Sequence, residues 1–416
     1  MPAIRRILAL IGLSLAASHW PLASSQAADW PQFLGPNRNC TSSETGLLTE
    51  WPKDGPPLVW KKDVGAGFSG PVVAGERLIL FHRVGDKDKV ECLDTATGKA
   101  KWEFAYKTTY EDDYQKGDGP RSTPVIAGNR VYTLSAEGKL HCLDLENGKK
   151  LWDRSLNTEY SVKKAFFGVG TSPIVVGDKL IVNVGGKEAL AGIVAFDKET
   201  GKEAWKSTDQ EASYSSPVTA KIDGVDHVLF LTRAGILSVD PADGKARFAK
   251  PWKARILASV NAAAPVVAGD LLFVSSSYGT GAIVHKVKKD SIAEVWKGDE
   301  IISNHYNTSV HQDGFLYGID GRQEGGGAKL RCVELMTGKV RWTKTGFGCA
   351  SIILADGQLI TLNDAGDLVL IAANPDEYKE KARAVVLGTG RAEIALANGR
   401  LYARDGNTLK CWNLKK

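Results

Sequence analysis

The sequence predicts an all-β chain folded as an eight-bladed β-propeller of four-stranded antiparallel blades, with the ring closed by strand exchange between its two ends. Three observations carry this expectation. A strand ending in an acidic residue, then Gly-Lys, then an aromatic recurs five times along the chain. The acidic residue and the aromatic are always eight positions apart. Four of the five recurrences follow a short entry of small residues and Pro. Self-similarity at about 40–50 residues marks an array of supersecondary units.

The copies are Cys92-Leu93-Asp94 to Trp102, Cys142-Leu143-Asp144 to Trp152, Ala195-Phe196-Asp197 to Trp205, Ser238-Val239-Asp240 to Phe248, and Cys332-Val333-Glu334 to Trp342. Within a unit the first strand opens on entries such as Gly70-Pro71, Thr123-Pro124, Ser172-Pro173, Ser216-Pro217 and Ala264-Pro265. Proline at a strand's first position costs no ladder hydrogen bond. A Gly turn leads to an apolar second strand, and the third strand ends in the Asp-x-x-x-Gly-Lys turn. Asp bonds the turn backbone and Gly supplies positive φ. The Trp is expected to lay its flat face in the junction between neighbouring units. Four antiparallel strands repeated radially describe a propeller blade.

Aromatic landmarks at Trp60, Trp102, Trp152, Trp205, Phe248, Trp296 and Trp342, with a degenerate equivalent near Val385 or Val386, count eight blades. Seven is the alternative count, because the last two units are weakly patterned. The stretch from Ile394 to Trp412 supplies three strands, and Leu58-Val59-Trp60-Lys61 offers the fourth. Exchange of that strand hides the edges of the ring.

The organisation read from the chain is a signal peptide over 1–27, an N-terminal extension over 28–57 and the propeller over 58–416. Arg5-Arg6 precede an apolar run from Ile7 to Ala17, and Ser25-Gln26-Ala27 suits cleavage. The run is too short to span a bilayer, and no later segment is long enough. No lipobox cysteine follows the leader, so a soluble periplasmic or secreted monomer is expected. The net charge of +5 falls to +3 without Arg5 and Arg6. That mild balance, with no basic stripe, excludes nucleic acid as a partner. Cys92, Cys142, Cys332 and Cys411 fall in one repeat slot that wants a small buried residue, so they read as free thiols. Cys40 and Cys349 stay open.

The repeat resembles the pyrroloquinoline quinone (PQQ) type of propeller repeat over roughly 58–416. That family holds quinoprotein alcohol dehydrogenases and non-catalytic exported propellers similar to BamB. The opening Asp29-Trp30-Pro31-Gln32-Phe33-Leu34-Gly35-Pro36-Asn37-Arg38 resembles secreted PQQ-repeat-like proteins of planctomycete-type bacteria. For an enzyme the resemblance implies an adjacent Cys-Cys pair, a Trp floor, a Glu/Asn/Asp calcium cluster and a catalytic Asp. This sequence has no Cys-Cys and no Cys-x-x-Cys-His haem site. No catalytic residue and no metal ligand is therefore assigned, and no cofactor is expected. PQQ with calcium is the alternative. Gly65-Ala66-Gly67-Phe68-Ser69-Gly70 matches a dinucleotide-binding string but leads into a Pro-started strand, not a helix.

Loop length is the strongest functional signal. Landmark to next entry spans 11 residues from Trp60 and 12 from Trp205, but 22 from Trp102, 21 from Trp152 and 17 from Phe248. Long loops on a rigid scaffold commonly carry binding. The rim residues singled out are Tyr110, Asp112, Tyr114, Arg121, Phe166, Phe167, Arg255, Asn261, Asn304, His305, Tyr306 and Arg391. Tyrosines, amides and arginines on a funnel suit an extended peptide, a planar ligand or a glycan. Envelope or secreted proteins, or glycans, are the expected partners. Glu111, Asp112 and Asp113 read as a solvated acidic run.

Overall fold

The computed structural model describes residues 28–253, 260–391 and 393–416. The expected leader and Arg255 lie outside these residues. Eight separate four-stranded antiparallel sheets make up the chain. The first blade holds β2 (Val72–Ala74), β3 (Arg77–Val84), β4 (Lys87–Asp94) and β5 (Ala100–Lys107), in that order from the axis outward. β1 (Leu58–Asp63) instead pairs with Thr408–Asn413 and completes the last blade, whose other strands are Ala395–Ala397 and Arg400–Arg404. The ring is thus closed by strand exchange. Among the described residues no helix is long and apolar enough to cross a membrane.

The repeated motif links each blade to the next. Asp94 Oδ1 accepts the amides of Ala96 and Thr97 at 3.1 and 2.9 Å, and Gly98 closes the turn at φ +70°. The Trp of the preceding blade reaches over this turn. Trp60 donates its indole N–H to Thr95 at 2.9 Å, Trp102 to Leu145 at 2.9 Å and Trp152 to Lys198 at 3.1 Å. Trp205 reaches Pro241 at 3.1 Å, and Trp296 reaches Leu335 at 2.7 Å. Glycine is required beneath the ring. A Cβ on Gly148 would lie 2.4 Å from the indole of Trp102. Within its own blade each aromatic pairs with the slot residue: Cys92 faces Trp102, Cys142 faces Trp152, Ala195 faces Trp205 and Cys332 faces Trp342.

The seventh blade corrects one expectation. The position equivalent to the aromatic is Ala382, opposite Leu370, not Val385 or Val386. Leu370 fills the slot in this blade and the small Ala382 faces it. All six cysteines are buried and unpaired, including Cys40 and Cys349.

Candidate functional site

The innermost strands surround an axis, and their entry residues form a belt. Gly70 donates its amide to Thr123 Oγ1 at 3.1 Å, Thr123 to Ser172 Oγ at 2.9 Å, and Ser172 to Ser216 Oγ at 2.9 Å. Further round, Ala264 donates to Thr308 Oγ1 at 3.0 Å. A small hydroxyl ahead of the innermost strand therefore stitches one blade to the next. Ser351 holds this place in the seventh blade. In the eighth, two residues ahead of Ala395–Ala397, the place belongs to Glu393, which hydrogen-bonds Ser351.

The N-terminal extension seals one end of the axis. Trp30 pairs with Val73, and Ile126 donates to Pro31 O at 2.8 Å. Farther along, Leu354 donates to Cys40 O at 2.9 Å, and Leu47 to Asp356 Oδ2 at 3.0 Å. Between these anchors Arg38 points inward, buried and bonded, among the described residues, to carbonyl and amide oxygens. Its guanidinium donates to Pro217 O at 2.8 Å, to Pro173 O, and to Gln32 Oε1 at 2.9 Å. Burial without a carboxylate partner lowers its pKa to about 9. The turns on this face are short, because the Trp-clamped turns and the first hairpins lie here.

Above the extension lies a cavity of about 190 Å³ that opens on the long-loop face. Phe33 of the extension contributes to its lining. Its walls are Phe68, Phe167, Tyr214, Tyr278 and Tyr306, with Thr123, Ser172 and Ser216 of the belt. Its ionisable groups are Lys116, Arg121, His305, Glu324, Arg391 and Glu393. Arg121 pairs with buried Asp112 at 3.2 Å and lies between Phe68 and Tyr110, 5.3 and 5.5 Å from their ring centres. Tyr278 OH lies 3.0 Å from His305 Nε2, Glu324 3.4 Å from Arg391, and Arg391 5.5 Å from the Tyr306 ring centre. Burial lowers the His305 pKa to about 4, which keeps it neutral near pH 7. Burial raises Glu393 to about 7.

Five of the rim residues singled out from sequence line this cavity: Arg121, Phe167, His305, Tyr306 and Arg391. Tyr114 and Phe166 line an adjoining groove. The other four described residues make contacts within the loops themselves. Asp112 accepts the amide of Lys116 at 2.6 Å, and Tyr110 is buried against Arg121 and Lys164. Asn261 donates to Thr232 O at 2.8 Å, and Asn304 to Ile319 O at 2.8 Å. Sequence reasoning missed Phe33, Tyr214, Tyr278, Glu324 and Glu393. For Glu393 a signal existed: it is the charged exception in a slot otherwise filled by small residues.

The family model described as outer membrane protein assembly factor BamB matches residues 31–159 and 86–344. No curated protein matches the chain in sequence. The fold is similar to BamB from Moraxella catarrhalis, at 15% identity and TM-score 0.61, over 86% of this chain and 97% of that one. It is also similar to quinohemoprotein alcohol dehydrogenase from Comamonas testosteroni, at 14% identity and TM-score 0.55, over 93% and 80%. A computationally designed protein, Ika8, matches at 10% identity and TM-score 0.58, over 86% and 100%.

Proposed function

The chain belongs to the family described as outer membrane protein assembly factor BamB, and we propose that it is an exported, non-catalytic propeller that serves as a binding scaffold in the cell envelope. The observation that carries this reading is the asymmetry of the axis. The extension closes one end, while the other opens as a funnel walled by aromatics. Such walls grip side chains or small groups at low entropic cost, because aromatic rings have few rotatable bonds. The groove beside the funnel, with exposed Tyr114 against Phe166 and Phe167 at 5.9 and 5.1 Å, extends the same surface. Envelope proteins are the partners proposed, with glycans second.

A PQQ-dependent alcohol dehydrogenase is the competing reading, since one of the similar folds is such an enzyme. The cavity lining supports the scaffold instead. Among the described residues its lining includes no Trp, Cys or Asn, and its aromatic surfaces come from Phe and Tyr. Arg121 and Arg391, the arginines of this lining, are already engaged by Asp112 and Glu324. These residues do not fit the Cys-Cys pair, Trp floor and calcium cluster that the resemblance implies, and no step through that group follows.

The test is site-specific photocrosslinking in the producing cell. A photoreactive residue at Phe166 is expected to capture discrete partners, and one at Met336, exposed on the opposite face, none. Equal capture at both would reject the reading. Calorimetric titration with PQQ, with and without calcium, checks the competing one. Tight one-to-one binding that depends on calcium would favour the enzyme.

A further inference from the structure

We propose that the axial cavity binds a small organic ammonium ion, with Glu393 as its counter-charge and the aromatic wall around its apolar body. The proposal rests on the reading of the open funnel as the binding face.

Glu393 departs from its own repeat. Seven belt positions are Gly, Ala, Ser or Thr, and the eighth carries a carboxyl. The chain makes room for it. The neighbouring belt residue is Gly70, where a Cβ would stand 3.2 Å from the Glu393 Cβ. The groups against the carboxyl are neutral: Ser351, which bonds it, Cys40 of the extension and Tyr306 of the sixth-blade entry. Burial raises the Cys40 thiol well above its usual range, so it brings no charge.

Among the described residues, the other ionisable groups of the cavity leave Glu393 uncompensated. Arg121 is paired with Asp112, Arg391 with Glu324, and His305 is neutral. Lys116 is exposed at the mouth. A carboxyl beside the Tyr306 ring, with no charged partner among the described residues, takes a proton or a cation, because the charged form otherwise lacks solvation. Ring faces attract an ammonium, and the two effects act on the same ligand. An anionic ligand would meet the carboxylate instead, and a neutral one would leave it protonated. A volume of about 190 Å³ holds one ring with a short amine-bearing tail.

Binding carries a proton balance. Below about pH 7 Glu393 holds a proton, which leaves to solvent as the ammonium enters and the carboxylate forms. Above it the carboxylate is already formed, so little proton is released. With that pKa, about 0.9 proton should be released at pH 6 and about 0.1 at pH 8. Affinity should strengthen across the same interval.

The experiment is calorimetry on the full chain with three probes that share a 2-phenylethyl body: 2-phenylethylammonium, 2-phenylethanol and 3-phenylpropanoate. Buffers of different ionisation enthalpy read the proton count. The ammonium should bind at least ten-fold more tightly than the alcohol, and the carboxylate should bind weakest. Glu393→Gln should remove the preference for the ammonium over the alcohol and abolish the proton release. Tyr306→Leu should weaken the ammonium while the proton release persists. A preference for the carboxylate would overturn the ammonium assignment and leave the funnel a binding site. Equal binding of the ammonium and the alcohol, or binding of none of the three, would also overturn it. The photocrosslinking above tests the funnel separately.

Discussion

The outer junctions and the axis use the same repeat in opposite ways. At the junctions one device recurs: Trp60, Trp102, Trp152, Trp205 and Trp296 each donate an indole N–H into the next blade's turn. Trp342 does the same toward Asn374 at 2.9 Å. On the axis the eight equivalent places are not interchangeable. One carries Glu393, and Arg38 is inserted beneath them from outside the repeat. A periodic position answers to packing that every blade shares. A position that breaks the period on the axis answers to something else, and in this account that is closure of the floor and recognition at the mouth.

The largest effect is expected where the axis is plugged. Arg38→Met leaves the Pro173 and Pro217 carbonyls without their donor and should cost about 2–4 kcal/mol. Urea unfolding of the full chain measures this. A loss below about 1 kcal/mol would make the plug dispensable and weaken the contrast between the two ends of the axis.

At the junctions Gly148→Ala forces a Cβ against Trp102 at a residue with φ +73°. A cost of about 2–3 kcal/mol is expected. The same change at Gly201 should cost a similar amount, because Trp152 lies over it in the same way. Unequal losses would show that the junctions are less alike than their geometry. Trp205→Phe keeps the ring and removes the hydrogen bond to Pro241. Phe248 is the natural example of that state, so a cost of only about 1 kcal/mol is expected by thermal unfolding.

The last effect is a slope with pH. Glu393 has a folded pKa of about 7, above its ordinary value of 4.5. Its contribution to stability is therefore full below the unfolded value and is lost as pH rises through about 7. Melting temperatures of the wild type and Glu393→Gln should diverge over that interval, with the wild type falling relative to the variant. Parallel curves would mean that the carboxyl is solvated.

The same contrast explains what the sequence disclosed. The eight blades and the strand exchange were legible because Asp, Gly and Trp stand at fixed offsets with a physical role at each. The landmark near Val385 falls three residues past its place because this unit carries neither a small slot residue nor the aromatic, with Leu370 opposite Ala382. Loop length pointed toward the mouth. It did not separate Phe167 and Tyr306, which line the cavity, from Asn261 and Asn304, which bond backbone carbonyls of Thr232 and Ile319. Both kinds are polar or aromatic residues in long loops, and only their hydrogen-bond partners tell them apart. Arg38 and Phe33 were hidden for another reason. Nothing in a chain's local pattern says that its extension crosses the far end of an axis.

Glu393→Ser tests the central claim most directly, since it restores the small hydroxyl that Ser172 and Ser216 carry at the same place. The account predicts a melting temperature at pH 8 above that of the wild type, together with loss of 2-phenylethylammonium binding in the same preparation. A lower melting temperature with binding unchanged would contradict it, because Glu393 would then serve the fold and not the ligand.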